Sequence, residues 1–357
     1  MAEGAAVGRL PGMDLPARLD TVYPWLEDVW QRWQARCQRG EVPHALLLRG
    51  DAGIGKTHLA LSMAARLLCS ESPSPCGTCA ACRFMQAGTH ADFRFLGPED
   101  DSKWIRIEQV RELIDALNLT SQRGRYKVAV LAPAERLNTA AANALLKTLE
   151  EPASDTVLIL VSARPAFLPA TIRSRCQQLP LAPPPREVAL EWLAAQAASA
   201  GLADDEREQL LDLAAGAPLA ALQLAEEGEL AAHQAAFEAF AGLAQGGGVS
   251  PVAVAAQWAE AGLDRALRRL HVWSHDLVVL RQLGPAAGEG RVAGMVRSRG
   301  LAGVLQGLAK PLDLKALHAW QARIRDAGRL VDTPVTAAAV LEDLLLEWVK
   351  VSAPHRR

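Results

Sequence analysis

The sequence predicts a parallel α/β domain followed by an all-α part, and three observations predict it. A glycine-rich motif sits between a short apolar strand and a periodic helix. Two further apolar runs lacking alternation flank helical segments. Past a proline triplet the chain shows helical periodicity alone.

The first strand is expected over 44–49 (HALLLR), with a helix over 58–68. Residues 127–131 (KVAVL) and 156–162 (TVLILVS) read as strands covered on both faces, because they are continuous apolar runs. Helices are expected over 107–118 and 138–150, the second opening on Asn138 as a cap and closing at Glu151-Pro152. Residues 1–182 therefore form one domain. Pro183-Pro184-Pro185 marks a stiff linker, since proline interrupts both helix and sheet. Helical spacing then recurs over 187–199, 206–215, 230–244, 252–283 and 336–351. Within this part Gly228 and Gly246-Gly247-Gly248 are competing breaks, and division at Gly228 gives domains of 183–228 and 229–357. Trp258, Trp273, Trp320 and Trp348 fall on helical stretches and read as core.

Composition limits the function. Lys plus Arg total 38 against 40 for Asp plus Glu, a formal charge of −2, so no overall basic field draws the chain to nucleic acid. No run approaches about 18 uninterrupted apolar residues, and the N-terminus lacks a signal pattern, so a soluble, cytoplasmic protein with no membrane contact is expected.

Residues 50–57, Gly-Asp-Ala-Gly-Ile-Gly-Lys-Thr, match the phosphate-loop pattern in full. Gly50, Gly53 and Gly55 let the backbone wrap phosphates, Lys56 reaches the β and γ phosphates, and Thr57 offers a hydroxyl to magnesium. The acidic partner is missing. Past 127–131 come Ala132 and Pro133, where a carboxylate pair would be expected, and Glu135 lies several residues later. ATP binding is thus open and hydrolysis is not expected.

Cys69, Cys76, Cys79 and Cys82 form C-x6-C-x2-C-x2-C, which suits one tetrahedral structural zinc, with Gly77 easing the turn. A redox C-x-x-C pair and a set of unrelated thiols are the alternatives. Cys37 and Cys176 are isolated.

Taken together, Tyr23-Pro24-Trp25-Leu26, HALLLRGDAGIGKT, CGTCAAC, MQAGTHADF at 85–93, NALLKTLEEP at 143–152 and SRC at 174–176 resemble a known family. It is the delta prime subunits of bacterial DNA polymerase III clamp loaders, AAA+ proteins related to the tau/gamma motor subunits. The resemblance implies an AAA+ domain with a zinc module at 69–82, a helical lid at 183–228 and a collar at 229–357. It further implies a hetero-pentameric ring with tau/gamma and delta subunits that loads a sliding clamp onto primed DNA as part of the polymerase holoenzyme. Arg175 of the Ser-Arg-Cys motif would enter the ATP site of the adjacent subunit as an arginine finger, with Arg173 a nearby competitor. Motor subunits carry an arginine where this chain has Leu219, and a threonine pair where it has Ser162-Ala163. Those departures point to a subunit without turnover of its own; the alternative is an active AAA+ motor of the same complex.

Overall fold

The computed structural model describes residues 9–10, 13–14, 18–71, 75–99, 102–122, 124–246, 248–284, 295–331 and 333–353. Gly247, and the N-terminal stretch before Arg18 apart from the two short pairs, lie outside them. The chain divides into two compact units, Met1–Val188 and Ala189–Arg357.

In the first unit Arg9–Leu10 (β1) and Met13–Asp14 (β2) pair antiparallel. The main sheet contains Ala45–Arg49 (β3), Phe93–Leu96 (β4), Lys127–Leu131 (β5), Thr156–Ser162 (β6) and Gln177–Pro180 (β7), in the order β4-β5-β6-β3-β7 with every pair parallel. Every residue of β5 and β6 is buried, which is why neither shows alternation in sequence. Both strands match the expected spans. The register sets Leu47 beside Leu160 and Gln178, so β3 lies between β6 and β7. Chain order reverses around β3, and the crevice at the carboxyl ends of such strands is where ligands of open α/β sheets bind.

Helices Glu27–Arg39 (α1), Lys56–Leu68 (α2), Ala80–Gln86 (α3), Ile107–Asn118 (α4), Thr139–Glu150 (α5) and Ala170–Arg175 (α6) complete this unit. The α5 helix starts where the sequence places it, because the Asn138 side chain accepts the Ala141 amide at 2.8 Å. Lys127, although buried, reaches the carbonyls of Leu117 and Leu119 and so satisfies the frayed end of α4.

Among its described residues the second unit is helical: Arg186–Ala194 (α7, crossing the boundary), Asp204–Leu213 (α8), Pro218–Glu226 (α9), Glu229–Gln245 (α10), Pro251–Glu260 (α11), Leu263–Leu283 (α12), Ala302–Ala309 (α13), Leu314–Ala327 (α14) and Ala337–Ser352 (α15). The expected helix over 252–283 is two helices, broken at Ala261-Gly262, where Gly262 adopts φ +97°. The one expected over 187–199 ends at Ala194 and resumes as a 3₁₀ turn at Ala197–Ser199. A small core gathers Ala189, Leu193, Leu210, Leu211 and Ala221; a larger one is built on α10 to α15.

Trp258, Trp273, Trp320 and Trp348 are all in that larger core, none more than 4% exposed. Phe240 stacks on Trp348 with centroids 4.4 Å apart, and Trp348 on Trp320 at 4.9 Å. Burial leaves the indole N–H groups in need of acceptors. Trp320 donates to the Leu344 carbonyl at 2.9 Å and Trp348 to that of Phe240 at 3.1 Å, so the first ring ties α14 to α15 and the second ties α15 to α10.

Candidate nucleotide and metal sites

The phosphate-loop residues lie at the carboxyl end of β3 and run directly into α2. Gly50 passes so close to Leu181 that an added Cβ would stand 2.1 Å from its carbonyl oxygen. Gly53 and Gly55 take φ of +78° and +86°, a region that disfavours side chains. At the N-cap of α2, Gly55 offers no side chain to the first helical amides, which leaves them for an anion. Lys56 is 6% exposed, and its Nζ donates to the Asp51 carbonyl at 2.6 Å. Burial lowers its pKa, opposed by the charges of Glu135 and Asp51. These residues fit a bound phosphate group.

A segment that the sequence motif does not include packs over the loop. The Tyr23 ring stacks on Trp25 at 5.1 Å and meets His58 edge-on at 5.0 Å. Trp25 Nε1 donates to the Ile54 carbonyl at 3.0 Å, and His58 Nε2 lies 3.1 Å from the Arg18 carbonyl. Tyr23 occupies the space that a residue larger than glycine would need at position 55, since a Cβ there would fall 2.4 Å from Tyr23 Cδ2. Gly55→Ala combines that clash with a positive φ, so we expect a loss of about 1–3 kcal/mol, read as a lower urea midpoint at unchanged slope.

The carboxyl end of β5 carries no acid. Ala132 is buried, and the Ala132–Pro133 peptide is cis. Glu135 lies in the 3₁₀ turn Ala134–Arg136, where its Oε1 accepts the amides of Ala163 at 3.1 Å and Arg164 at 3.2 Å. It therefore holds the end of β6, next to the fully buried Ser162, and is close enough to Lys56 to influence its charge. Leu219 is the second residue of α9 and half-buried, with no charge to offer.

Arg175 ends α6. Its Nε donates to Glu150 Oε1 at 2.7 Å, its Nη2 pairs with the same oxygen, and Nη1 donates to the Thr171 carbonyl at 3.0 Å. Within the chain the guanidinium is thus held by a carboxylate at the end of α5 while staying about one-third exposed. Such a half-exposed pair contributes little to stability. Neighbouring Arg173 is half-buried.

The four cysteines converge. Cys69 follows the last residue of α2, Gly77 turns the loop at φ +71°, and Cys79 is the N-cap of α3. All four sulfurs lie within 4.8 Å of one another. Cys69 Sγ is 3.8 Å from those of Cys76 and Cys79, and Cys76 Sγ is 4.0 Å from that of Cys82. A tetrahedron of Zn–S bonds of about 2.3 Å requires sulfurs roughly 3.8 Å apart, so the set fits zinc. Backbone amides are aimed at the sulfurs as they would be at thiolates: Glu71 to Cys69 at 3.4 Å, Cys79 to Cys76 at 3.3 Å and Cys82 to Cys79 at 3.4 Å. Cys37 and Cys176 lie outside this group; burial raises both thiols to about 11.

The sequence reading named the loop glycines, Lys56, Thr57, the cysteines and Arg175, but missed three contacts. They are Tyr23 against Gly55, Glu135 on the β6 end and Glu150 on Arg175. Each joins residues 25 to 32 positions apart, beyond any local pattern.

Comparison with known proteins matches residues 25–185 to the family described as DNA polymerase III, delta subunit. DNA polymerase III subunit delta' of Pseudomonas aeruginosa is 45% identical over 212 residues, 58% of this chain and 62% of that one. DNA polymerase III subunit tau of Escherichia coli is 37% identical over 144 residues, 40% of this chain and 22% of tau. Among solved structures, a DNA polymerase III gamma subunit-related protein of Thermotoga maritima aligns over 92% of this chain and 99% of its own, with a TM-score of 0.42 and 16% identity. The chain spans about three fifths of the length of the delta' relative. No helix among the described residues is long and apolar enough to cross a membrane. By sequence, then, the chain resembles the delta' subunits of DNA polymerase III, and residues 25–185 carry that likeness.

Proposed function

We propose that this chain is a clamp-loader subunit of the delta' kind: an AAA+ domain over 1–182, a lid over 183–228 and a collar over 229–357, acting in the cytoplasm. It assembles with tau/gamma and delta subunits into a hetero-pentameric ring that places a sliding clamp on primed DNA. Its phosphate loop holds nucleotide without turning it over, with Gly50, Gly53, Gly55, Lys56 and Thr57 as the cradle. Zinc on Cys69, Cys76, Cys79 and Cys82 fixes the loop after α2 and has no open coordination position for catalysis. Arg175 acts across the subunit boundary, where it neutralises charge on a phosphoryl group held by the neighbour.

One observation carries the absence of turnover. At the end of β5, Ala132 and Pro133 offer no carboxylate for magnesium or water, and Glu135 Oε1 is engaged by two amides of the β6 end. The intact phosphate loop favours a second reading, an ATPase motor. Nucleotide titration and turnover by the purified chain separate the two. Binding that is lost in Lys56→Ala, with no phosphate release in either protein, supports the first; turnover by the wild type alone would establish the second. In a reconstituted loader Lys56→Ala is expected to change clamp-loading rate by less than about twofold, because nucleotide bound here plays a static part.

A further inference from the structure

The C-terminal unit contains a cavity of about 50 Å3 that no part of the proposed function uses. Its lining includes Leu224, Glu229, His233, Arg265, Arg268 and Arg269. One water needs about 10–15 Å3 of such space, so the cavity has room for a group larger than a single water. We propose that it is a binding site for a small oxyanion of the phosphate class.

Charge is the first argument. Arg265, Arg268 and Arg269 recur at i, i+3 and i+4 on α12 and so share one face of that helix. The one carboxylate in the lining is Glu229, buried at the start of α10: Oε1 takes Arg269 Nη2, and Oε2 lies 2.9 Å from Arg265 Nη1 as an ion pair without hydrogen-bond geometry. Glu227, 2.8 Å from Arg265, and Asp264, paired with Arg268, lie outside the lining and are more exposed. The wall therefore presents three guanidiniums against one carboxylate, with the balancing acids at its margin.

Unmet hydrogen bonding is the second. Arg269 is 7% exposed and its Nε is buried with no acceptor among the described residues; His233 is 4% exposed and its Nδ1 is likewise unpartnered. Burial, reinforced by the Arg269 charge, pushes His233 down to about 4, so the ring is neutral at physiological pH and has one N–H to give. A buried guanidinium donor left unpaired is costly. A tetrahedral oxyanion answers these unmet donors, because it brings several charged acceptor oxygens to one small space, where hydrogen bonds to them are about twice as strong as to a neutral acceptor.

Calorimetric titration of sodium phosphate into the full-length Lys56→Ala protein, at ionic strength matched with chloride, keeps the phosphate loop out of the measurement. The expected result is a saturable one-site heat with Kd on the order of 1 mM. Arg268, with its side chain 63% exposed, is the variant least able to disturb folding. Arg268→Gln should retain the unfolding midpoint while weakening phosphate binding at least about fivefold. Two results overturn the proposal. Absence of saturable heat means that the cavity holds water alone, and unchanged affinity in both Arg265→Gln and Arg268→Gln places the anion elsewhere.

Discussion

Arg175→Ala in a loader reconstituted with tau/gamma, delta, clamp and primed DNA is expected to leave ring assembly intact and to slow ATP hydrolysis at one interface about 10³-fold or more. The magnitude follows from where the charge acts. A guanidinium set against the transferred phosphoryl group stabilises charge that develops only in the transition state, whereas the Arg175–Glu150 pair within the chain is half exposed and contributes at most about 1 kcal/mol. The same substitution is therefore nearly silent in stability and large in rate. Single-turnover kinetics resolve the two, since one class of ATP should become slow while the others keep their rate. Unchanged kinetics at every site, with assembly verified by gel filtration, would remove Arg175 from the mechanism. Glu150→Gln is the informative companion: it removes the charge of Arg175's intrachain partner and should preserve the rate.

Cys82→Ser should bring zinc content from near one per chain to near zero and cost several kcal/mol of stability. Cys82 is the buried member of the four, 4% exposed, and three thiolates with a hydroxyl make a poor substitute for a closed tetrahedral site. Structural zinc contributes apparent binding energies of about 10–16 kcal/mol to small domains, and here only the connection between α2 and α3 depends on it, so the loss is a fraction of that range. Metal released on denaturation and captured by a chromogenic chelator gives the stoichiometry; urea unfolding gives the stability. Cys37→Ser, outside the cluster, serves as the control and should retain zinc. A wild-type chain that releases none, or a Cys82→Ser chain that releases as much as wild type, would disprove the assignment.

Legibility in the sequence followed the physics of each element. The central strands β5 and β6 were plain because full burial demands unbroken apolar runs. By contrast, β7 is Gln177-Gln178-Leu179-Pro180, an exposed edge strand held by backbone pairing to β3, and β4 is four residues with an arginine at its second position; neither has a pattern to detect. The break at Gly262 was hidden because Ala259, Glu260 and Ala261 continue the helical composition up to it. In the candidate sites, whatever is local was readable: the loop glycines, the cysteine spacing and the Asn138 cap. Contacts that depend on the sheet bringing distant loops together, such as Glu135 on the amides of Ala163 and Arg164, were not.

The bond from Lys56 to the Asp51 carbonyl bears on what the empty cradle costs to keep. A lysine that has already found an acceptor inside its own loop does not rely on a nucleotide to relieve it. The loop can hold this lysine in place with or without a guest. Nucleotide arriving in the loop would have to draw the ammonium away from that carbonyl, so part of its binding energy goes to replacing a bond that the empty loop already makes.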